Sequence, residues 1–373
     1  MRSILYFCTV MLLVFQGCGE PKEPKEVILQ SVEIKDVLKL DESSADLPDS
    51  LMFVSPYLTA VNSKGDIYML DMRQKVIFHF DSSGVFKNVF GGEGRGPGEF
   101  ESVYELIPVN DSSLLVYDYM QARFTIFDSS GEVQRIVNMD FHGRAVSHIR
   151  QLSDEELLFT VFQDGKLLQV YNLEEEKITQ KGLVLENLLQ TSHEHEPVFL
   201  ASASGTALAV TENRIVYTPQ YYNGKLDVYE KSGSDWVFVN KITGFTIDES
   251  FTIHESKTER PKEAKTTTVH PEGEGFLGLE YHSESLGLFY LKDNKFAHIS
   301  YRDINPEKKE QKLIYEIFDG KDGRLEKVVE IDSLKTSVPP RNLPVWIDRE
   351  GYLYVIDNPE NPTLRKIEVL WKN

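Results

Sequence analysis

The stretch that decides the fold spans residues 66–84, Asp-Ile-Tyr-Met-Leu-Asp-Met-Arg-Gln-Lys-Val-Ile-Phe-His-Phe-Asp-Ser-Ser-Gly, because its pattern returns further along the chain. The two copies keep one offset of 47 residues, from Asp71 to Asp118 and from Asp81 to Asp128, so they form one unit without a gap. Each copy holds short apolar runs separated by polar turns. A period of about 40–50 residues built from short strands is typical of a propeller blade. The repeat therefore predicts an all-β propeller.

Comparable units follow along the chain. They span residues 57–90, 104–137, 148–185, 203–242, 275–319 and 343–371. The last unit contains only three convincing strands, and the apolar segment 27–40 has no neighbour in sequence with which to pair. Placing residues 27–40 as the outer strand of the last blade removes two exposed sheet edges. We therefore predict a six-bladed β-propeller over residues 27–373, with six blades rather than seven and a ring closed by this N-terminal strand.

Residues 245–275 interrupt the period between the fourth and fifth units. Their centre, residues 256–268, is strongly polar and has no apolar face. We predict an exposed insertion here, either a loop or a hairpin that stands off the ring. The fifth blade is then expected to contain strands over residues 275–279, 287–291, 296–302 and 313–319.

The N-terminal segment, residues 1–17, has the composition of a signal peptide. Arg2 supplies a positive start, and residues 4–15 are almost all apolar, a run too short to cross a bilayer stably. Cys18 follows, and the acidic residues 19–26 after it are too polar to fold. This arrangement resembles a bacterial lipoprotein signal, which implies a lipid on Cys18 and a tether through residue 26. The alternative is an ordinary secreted protein that is cut nearby.

The net charge of the chain limits the kinds of partner that it can bind. The chain has a formal net charge of −19, and such an acidic protein repels nucleic acid and anionic membrane surfaces. We expect no nucleic-acid partner, and membrane contact only through the N-terminal lipid. The two cysteines, Cys8 and Cys18, lie in the N-terminal segment, so no disulfide staples the folded part.

Two motifs resemble a known family. The blade unit with Tyr-x-x-Asp at residues 68–71, and with Phe-x-x-Phe-Asp-x-x-Gly at residues 124–131, resembles NHL-like and TolB-like six-bladed propellers. The run Gly-Glu-Gly-Arg-Gly-Pro-Gly-Glu-Phe at residues 92–100 is similar to a signature of propeller lipoproteins from Gram-negative bacteria, mostly of unknown function. The acidic tether resembles the export signal of surface-displayed lipoproteins. The resemblance implies an outer-membrane, surface-exposed location and supplies no catalytic residues.

The glycine-rich run also invites a phosphate-loop interpretation, since glycines let backbone N–H groups converge on an anion. Such a site needs a helix after the loop, and Pro97 with a following strand pattern stands there instead. We therefore predict a structural turn, in which Arg95 and Glu99 either pair with each other or point at the channel mouth.

No catalytic or metal-binding pattern stands out. The His193-Glu194-His195-Glu196 cluster lacks an evident third ligand, and we interpret it as a solvated loop. His270, His282 and His298 are scattered, so we expect them to be surface or packing residues. There is no Gly-x-Ser-x-Gly motif, and no cysteine follows the leader, so a nucleophilic enzyme has no support. We predict no cofactor, although plentiful carboxylates leave open a single divalent metal in the central channel.

The expected functional surface is the channel mouth, because ligands bind in clefts with a few convergent polar groups. Aromatic and arginine side chains there suit sugars, peptides or acidic ligands. The candidates are Tyr57, Arg95, Tyr104, His148, Arg150, Tyr221, Tyr222, Arg341 and Asn342. We predict a non-catalytic envelope lipoprotein that binds a protein partner or a small ligand. The alternative is a metal-dependent propeller hydrolase or lyase with its site at the channel.

Overall fold

The computed structural model describes the greater part of the chain. The described residues are 30–43, 45–139, 147–163, 166–183, 206–211, 213–219, 224–233, 235–245, 251–262, 264, 266–269, 275–305, 310–331, 345–357 and 361–371. These residues form strands, turns and loops, so within them no helix is long and apolar enough to cross a membrane.

Two short N-terminal strands precede the repeated units. They are β1 (Gln30–Ser31) and β2 (Glu33–Leu40). Blade one follows as β3 (Pro56–Val61), β4 (Ile67–Asp71), β5 (Val76–Phe80) and β6 (Phe86–Gly91). Blade two is β7 (Val103–Val109), β8 (Ser113–Asp118), β9 (Arg123–Asp128) and β10 (Val133–Asn138). Each blade is a four-stranded antiparallel meander, so the repeat read from the sequence is confirmed as the blade unit.

Blades three and four have the same plan. Blade three contains β11 (Ser147–Gln151), β12 (Glu156–Gln163), β13 (Lys166–Asn172) and β14 (Lys177–Leu183). Blade four contains β15 (Thr206–Thr211), β16 (Arg214–Pro219), β17 (Lys225–Ser232) and β18 (Asp235–Thr243).

The insertion after blade four forms a small sheet of its own. Its strands are β19 (Phe251–Ser256), β20 (Thr266–Val269) and β21 (Phe276–Tyr281), arranged in the order β19-β21-β20. The excursion therefore extends six residues beyond its expected end at residue 275, and residues 275–279 are not the inner strand of blade five. This short apolar run suits either place, and the pairing with β19 and β20 decides it.

Blade five starts later than the sequence indicated. It consists of β22 (Ser283–Leu291), β23 (Lys295–Asn305), β24 (Glu310–Asp319) and β25 (Leu325–Ile331). The predicted strands 287–291, 296–302 and 313–319 are present within β22, β23 and β24, but each lies one place nearer the channel than expected. The outer strand β25 was not predicted. Blade six contributes β26 (Val345–Ile347), β27 (Leu353–Asp357) and β28 (Thr363–Leu370).

The N-terminal strands close the ring. Strand β2 pairs antiparallel with β28 and supplies the fourth, outer strand of blade six, which confirms the predicted closure. The short β1 pairs parallel with β25 of blade five, so the N-terminal segment ties two blades together rather than one. Asp36 reinforces this junction, because its carboxylate accepts a 2.9 Å hydrogen bond from Arg365.

The aspartates of the repeat explain why the unit recurs. Asp71 accepts two backbone N–H groups from the connection into its blade, those of Val54 and Ser55 at 2.7 Å each, and two more from the turn that follows it. Asp118 makes the equivalent bonds in blade two. A carboxylate at this position thus joins the connection that enters a blade to the turn between its second and third strands.

The apolar core lies between neighbouring blades. Phe78 and Phe80 are fully buried between blades one and six, and Phe53 meets the ring of Phe78 edge to face at 5.1 Å. Burial of such side chains between sheets is the main stabilising contribution in a fold without disulfides. The six inner strands then neighbour one another in ring order and enclose a central channel.

Candidate functional site

The six inner strands β3, β7, β11, β15, β22 and β26 surround the channel. All six run in the same direction along it. We call the end where these strands begin the upper mouth, and the end where they turn into the second strands the lower mouth.

A repeated β-bulge shapes the upper mouth. The register of β3 against β4 shifts at Tyr57, and that of β7 against β8 shifts at Tyr104. These two residues keep the offset of 47 that relates blades one and two. Strand β11 has a shift at His148–Ile149, where His148 adopts a positive φ of 52°. Because a bulge re-aims the side chain that it carries, three consecutive blades present a ring-bearing residue near the upper mouth.

The two bulge tyrosines are accessible. Tyr57 is 45% exposed and Tyr104 is 49% exposed. Burial of the hydroxyl, together with the nearby Glu105 and Tyr57, raises the pKa of Tyr104. His148 differs, because burial and the neighbouring Arg150 lower the pKa of its imidazole to about 3. At neutral pH this side chain is therefore uncharged.

A charged network joins three neighbouring inner strands along the channel wall. Arg150 of blade three donates a 2.8 Å hydrogen bond to Glu105 of blade two and a 3.2 Å bond to the carbonyl of Leu208 in blade four. Glu105 also accepts the N–H of Ile149 at 2.8 Å. Burial raises the pKa of Glu105, and the Arg150 charge opposes that shift. One guanidinium thus links three adjacent blades.

The lower mouth contains a cavity of about 290 Å³. Every blade contributes to its wall through the end of its inner strand or the turn that follows. One lining residue from each blade, in chain order, is Asn62, Asp111, Gln151, Val210, Tyr290 and Arg349. This volume suits a small organic molecule rather than a single ion.

Trp346 forms an aromatic part of the cavity wall. It is half-buried and packs against the apolar clusters between blades five and six, six and one, and one and two. The ring of Phe289 meets it edge to face at 5.5 Å. An indole side chain therefore lies in the same wall as the amide, carboxylate and guanidinium groups of the rim.

Hydrogen bonds between blades hold this rim in place. The Asn62 side chain donates to the carbonyl of Asp111 at 3.4 Å, and Gln151 accepts the N–H of Asn110 at 3.1 Å. Asp348 is committed to its own turn, where it accepts two backbone N–H groups and the Tyr354 hydroxyl at 2.9 Å. A rim fixed in this way is preorganised for binding.

The glycine-rich connection between blades one and two is a structural turn, as the sequence predicted. Arg123 donates hydrogen bonds to the carbonyls of residues 95, 96 and 99. The loop therefore directs its carbonyl oxygens at the guanidinium group of Arg123. Glu99 accepts the N–H of Gly96 at 2.7 Å and occupies the place of a bound anion. Arg95 pairs with Glu101 at 2.8 Å, not with Glu99. Of the two alternatives for Arg95 and Glu99, pairing with each other is therefore wrong.

A second polar network lies inside the interface of blades four and five. The Ser285 hydroxyl lies 2.9 Å from Nε2 of His298, and Nδ1 of His298 lies 2.8 Å from Glu316. Glu316 also accepts the N–H of Phe245 at 2.5 Å, which fixes the start of the insertion. The order serine–histidine–carboxylate is that of a catalytic triad, but His298 and Glu316 are fully buried and Ser285 is 8% exposed. The network is closed to a substrate and acts as a brace, consistent with the expected packing role of His298.

Within the described ranges, no three or more His, Cys, Asp and Glu residues are grouped so that they could hold a metal ion. The His193–Glu196 cluster and His270 lie outside those ranges.

This architecture matches that of a known protein family. A family model described as a 6-bladed beta-propeller, DUF5128, matches residues 48–329. The chain belongs to the DUF5128 family. No curated protein matches the sequence.

Two solved structures share the fold of this DUF5128 propeller. A member of the DUF4221 family from Bacteroides vulgatus has a TM-score of 0.58 at 13% identity, covering 92% of this chain and 99% of its own. A candidate exported protein from Bacteroides fragilis has a TM-score of 0.51 at 13% identity, with 91% and 96% covered. At such low identity the likeness concerns the fold alone.

The candidate site residues predicted from the sequence lie in two different places in this DUF5128 propeller. Tyr57, Tyr104 and His148 lie near the upper mouth, whereas Arg150 joins neighbouring inner strands and lines the cavity. Arg95 lies on the connection between blades one and two and does not line the cavity. The remaining candidates, Tyr221, Tyr222, Arg341 and Asn342, and the lipidation residue Cys18 lie outside the described residues.

Sequence reasoning missed the main features of the DUF5128 cavity. Trp346, Phe289 and Tyr290 lie at the ends of inner strands, and Asp111 lies in a turn. Each resembles an ordinary packing or turn residue when taken alone. The available signal was positional: the end of each inner strand recurs once per blade, so those positions must meet when the ring closes.

Proposed function

We propose that this chain is an exported, lipid-anchored propeller that binds a small polar ligand, without chemistry, in the cavity at the lower mouth. The observation that carries the proposal is the cavity of about 290 Å³ walled by all six blades. Its aromatic surface at Trp346 and its polar rim match a ligand that has both an apolar face and several hydroxyl or carboxyl groups. A sugar ring has that chemistry.

Support for an envelope location comes from the N-terminal segment. Residues 1–17 have the composition of a signal peptide, and Cys18 with the acidic tether resembles a lipoprotein signal. A structural neighbour is a candidate exported protein. On this proposal Cys18 carries a lipid that holds the propeller on the outer membrane, within the NHL-like and TolB-like group. Loss of membrane partitioning in Cys18→Ser tests the anchor; unchanged partitioning contradicts it.

Ligand binding is tested by a thermal-shift screen of monosaccharides and disaccharides. Ser63 is exposed and lines the cavity, so Ser63→Trp fills the lower mouth without disturbing the core. Ser129→Trp is the matched control, because Ser129 lies in an exposed turn outside the cavity. A ligand present at 100 times its Kd stabilises the folded state by about 2.7 kcal/mol. The shift should persist in Ser129→Trp and vanish in Ser63→Trp; a shift retained in Ser63→Trp places binding elsewhere.

The metal-dependent alternative is separated by metal analysis of the purified full chain. On the binding proposal, the metal content stays below one ion per chain and chelator leaves the ligand-induced shift unchanged. A stoichiometric, tightly held ion would favour the enzyme instead.

A protein partner is the other ligand class that the sequence favoured. A protein segment that enters the lower mouth would compete with the sugar, and Ser63→Trp would weaken both. Partner binding that is insensitive to Ser63→Trp would assign the partner to another surface.

A further inference from the structure

Blades one and four contain equivalent rows of residues that face the next blade. In blade one the row across β3, β4, β5 and β6 is Ala60, Tyr68, His79 and Asn88. In blade four the row across β15, β16, β17 and β18 is Ala209, Val216, Val228 and Asn240. Both rows begin with alanine and end with asparagine, so the difference between them lies in the two middle residues.

In blade one two rings fill the middle of the row. Tyr68 is 1% exposed and His79 is 5% exposed, and their rings stack 4.5 Å apart and 12° from parallel. Nδ1 of His79 lies 2.9 Å from Oδ1 of Asn88. Nδ2 of Asn88 donates a 2.5 Å hydrogen bond to the carbonyl of Ser130 in blade two. The stacked rings and the amide thus close the interface between blades one and two.

In blade four two valines stand in place of these rings, and a cavity of about 230 Å³ lies between blades four and five. Val216 and Val228 form part of its wall together with Phe296 of blade five, and all three are buried. Asn240 also lines the cavity, and within the described residues its amide makes no bond to blade five. This interface therefore lacks both the rings and the link that blade one has.

The two pairs of blades approach equally closely beside these rows. Phe90 and Ile242 each lie two residues after the asparagine, and each packs on a glycine in the turn before the outer strand of the next blade. A Cβ atom added to Gly131 would lie 2.7 Å from Phe90, and one added to Gly323 would lie 2.5 Å from Ile242. The cavity therefore results from the smaller side chains and not from a wider separation of the blades.

The wall of this interblade cavity suits a neutral ligand with an apolar body. Arg214 pairs with Glu230 in the wall, and Lys321 and Asp322 of the exposed rim have opposite charges. These four residues contribute no net charge. An apolar cavity of about 150 Å³ is large enough to bind benzene, so the space here admits one or two rings.

We propose that the interblade cavity is a second ligand site, which binds a neutral planar molecule of one or two aromatic rings with a polar substituent. The rings lie against Phe296, in the place that Tyr68 and His79 fill in blade one. The substituent bonds to the amide of Asn240, which can both donate and accept. No residue lines both this cavity and the cavity at the lower mouth, so the two sites are independent.

Calorimetric titration of the full chain with indole tests the proposal. All titrations use the Ser63→Trp background, in which the lower mouth is filled. We expect one site with a Kd of about 1 mM or lower. Val239 is 44% exposed and lines the interblade cavity, so Val239→Trp should fill it and abolish binding. Val237 is 48% exposed on the same strand and does not line the cavity, so Val237→Trp is the matched control and should retain binding.

Two further variants test the named wall residues. Val216→Tyr/Val228→His supplies the rings of blade one and should abolish indole binding. Asn240→Leu keeps the shape of the wall and should weaken binding by about tenfold, because the indole N–H loses its acceptor. Circular dichroism confirms that each variant folds. The absence of binding up to about 10 mM indole, equal binding by Val239→Trp and Val237→Trp, or an unchanged Kd in Asn240→Leu overturns the proposal.

Discussion

Arg150 of blade three and Glu105 of blade two form a 2.8 Å ion pair in which each side chain is more than four-fifths buried. Arg95 and Glu101 form a pair of the same length, but the Arg95 side chain is 79% exposed. The two pairs therefore differ in burial and not in geometry. Removing one partner of a buried pair leaves an uncompensated charge, which is far more costly than losing an exposed contact.

We expect Arg150→Met to lower the free energy of unfolding by about 3–5 kcal/mol, and Arg95→Met to lower it by less than about 1 kcal/mol. Urea unfolding of the two variants measures the difference. Adding Glu105→Gln to Arg150→Met should recover part of the loss, because the stranded carboxylate is then neutral. Equal small losses at both sites would mean that the Arg150–Glu105 pair is solvated.

His148 should make the fold sensitive to mild acid. The pKa of its imidazole falls from 6.5 to about 3 in the folded protein. Between these two pH values the unfolded chain therefore binds a proton at this residue and the folded chain does not. The stability that the neutral ring contributes is complete above pH 6.5 and is lost progressively as the pH falls toward 3. His148→Asn keeps a residue that tolerates the positive φ and should flatten the decline in unfolding free energy between pH 7.5 and 5. An identical decline in the variant would refute this.

Ring closure by β2 should depend on its inward face. Leu40 is 1% exposed between blades one and six, whereas Val37 on the same strand is 46% exposed. Leu40→Ala is expected to cost about 2–5 kcal/mol of unfolding free energy, and Val37→Ala less than about 0.5 kcal/mol. Denaturant titration gives both values. A large loss of unfolding free energy from Val37→Ala, with none from Leu40→Ala, would mean that β2 presents its opposite face to the core.

The buried serine–histidine–glutamate network should be inert. Because Ser285 and His298 are enclosed between two blades, a fluorophosphonate probe should not label the native chain at Ser285. His298→Ala should lower the melting temperature, since it breaks the link from Ser285 to Glu316. Stoichiometric labelling of Ser285 that is lost in His298→Ala would contradict this prediction and identify the network as an active site.

Much of the architecture could be predicted because blades one and two repeat one pattern of apolar runs and polar turns at a constant offset. Asp71 and Asp118 each bind backbone N–H groups of the connection that enters their blade, so the same residue is needed each time and the period stays visible. In blade five the strands over 287–291, 296–302 and 313–319 could be predicted, but their places within the blade could not. The apolar run 276–279 resembles an inner strand, whereas the true inner strand opens with the polar residues Ser283-Glu284-Ser285.

The cavity could not be predicted from local pattern. Asn62 and Arg349 line the same space although 287 positions separate them in the sequence, and only ring closure brings them together. The bulges that re-aim Tyr57 and Tyr104 depend on pairing with the next strand, which composition does not reveal. The tyrosines could be named as candidates, but the lower mouth could not.

The most direct test of the account is a titration that follows Trp346 alone. The other two tryptophans, Trp236 and Trp371, are replaced by phenylalanine, so that the emission reports only on the cavity wall. With the sugar identified by thermal shift, we predict a saturable change in Trp346 emission whose Kd matches the thermal-shift value. Ser63→Phe, which fills the lower mouth without adding a tryptophan, should abolish that change. Binding at full affinity with no change in Trp346 emission would contradict the assignment of the ligand to this cavity.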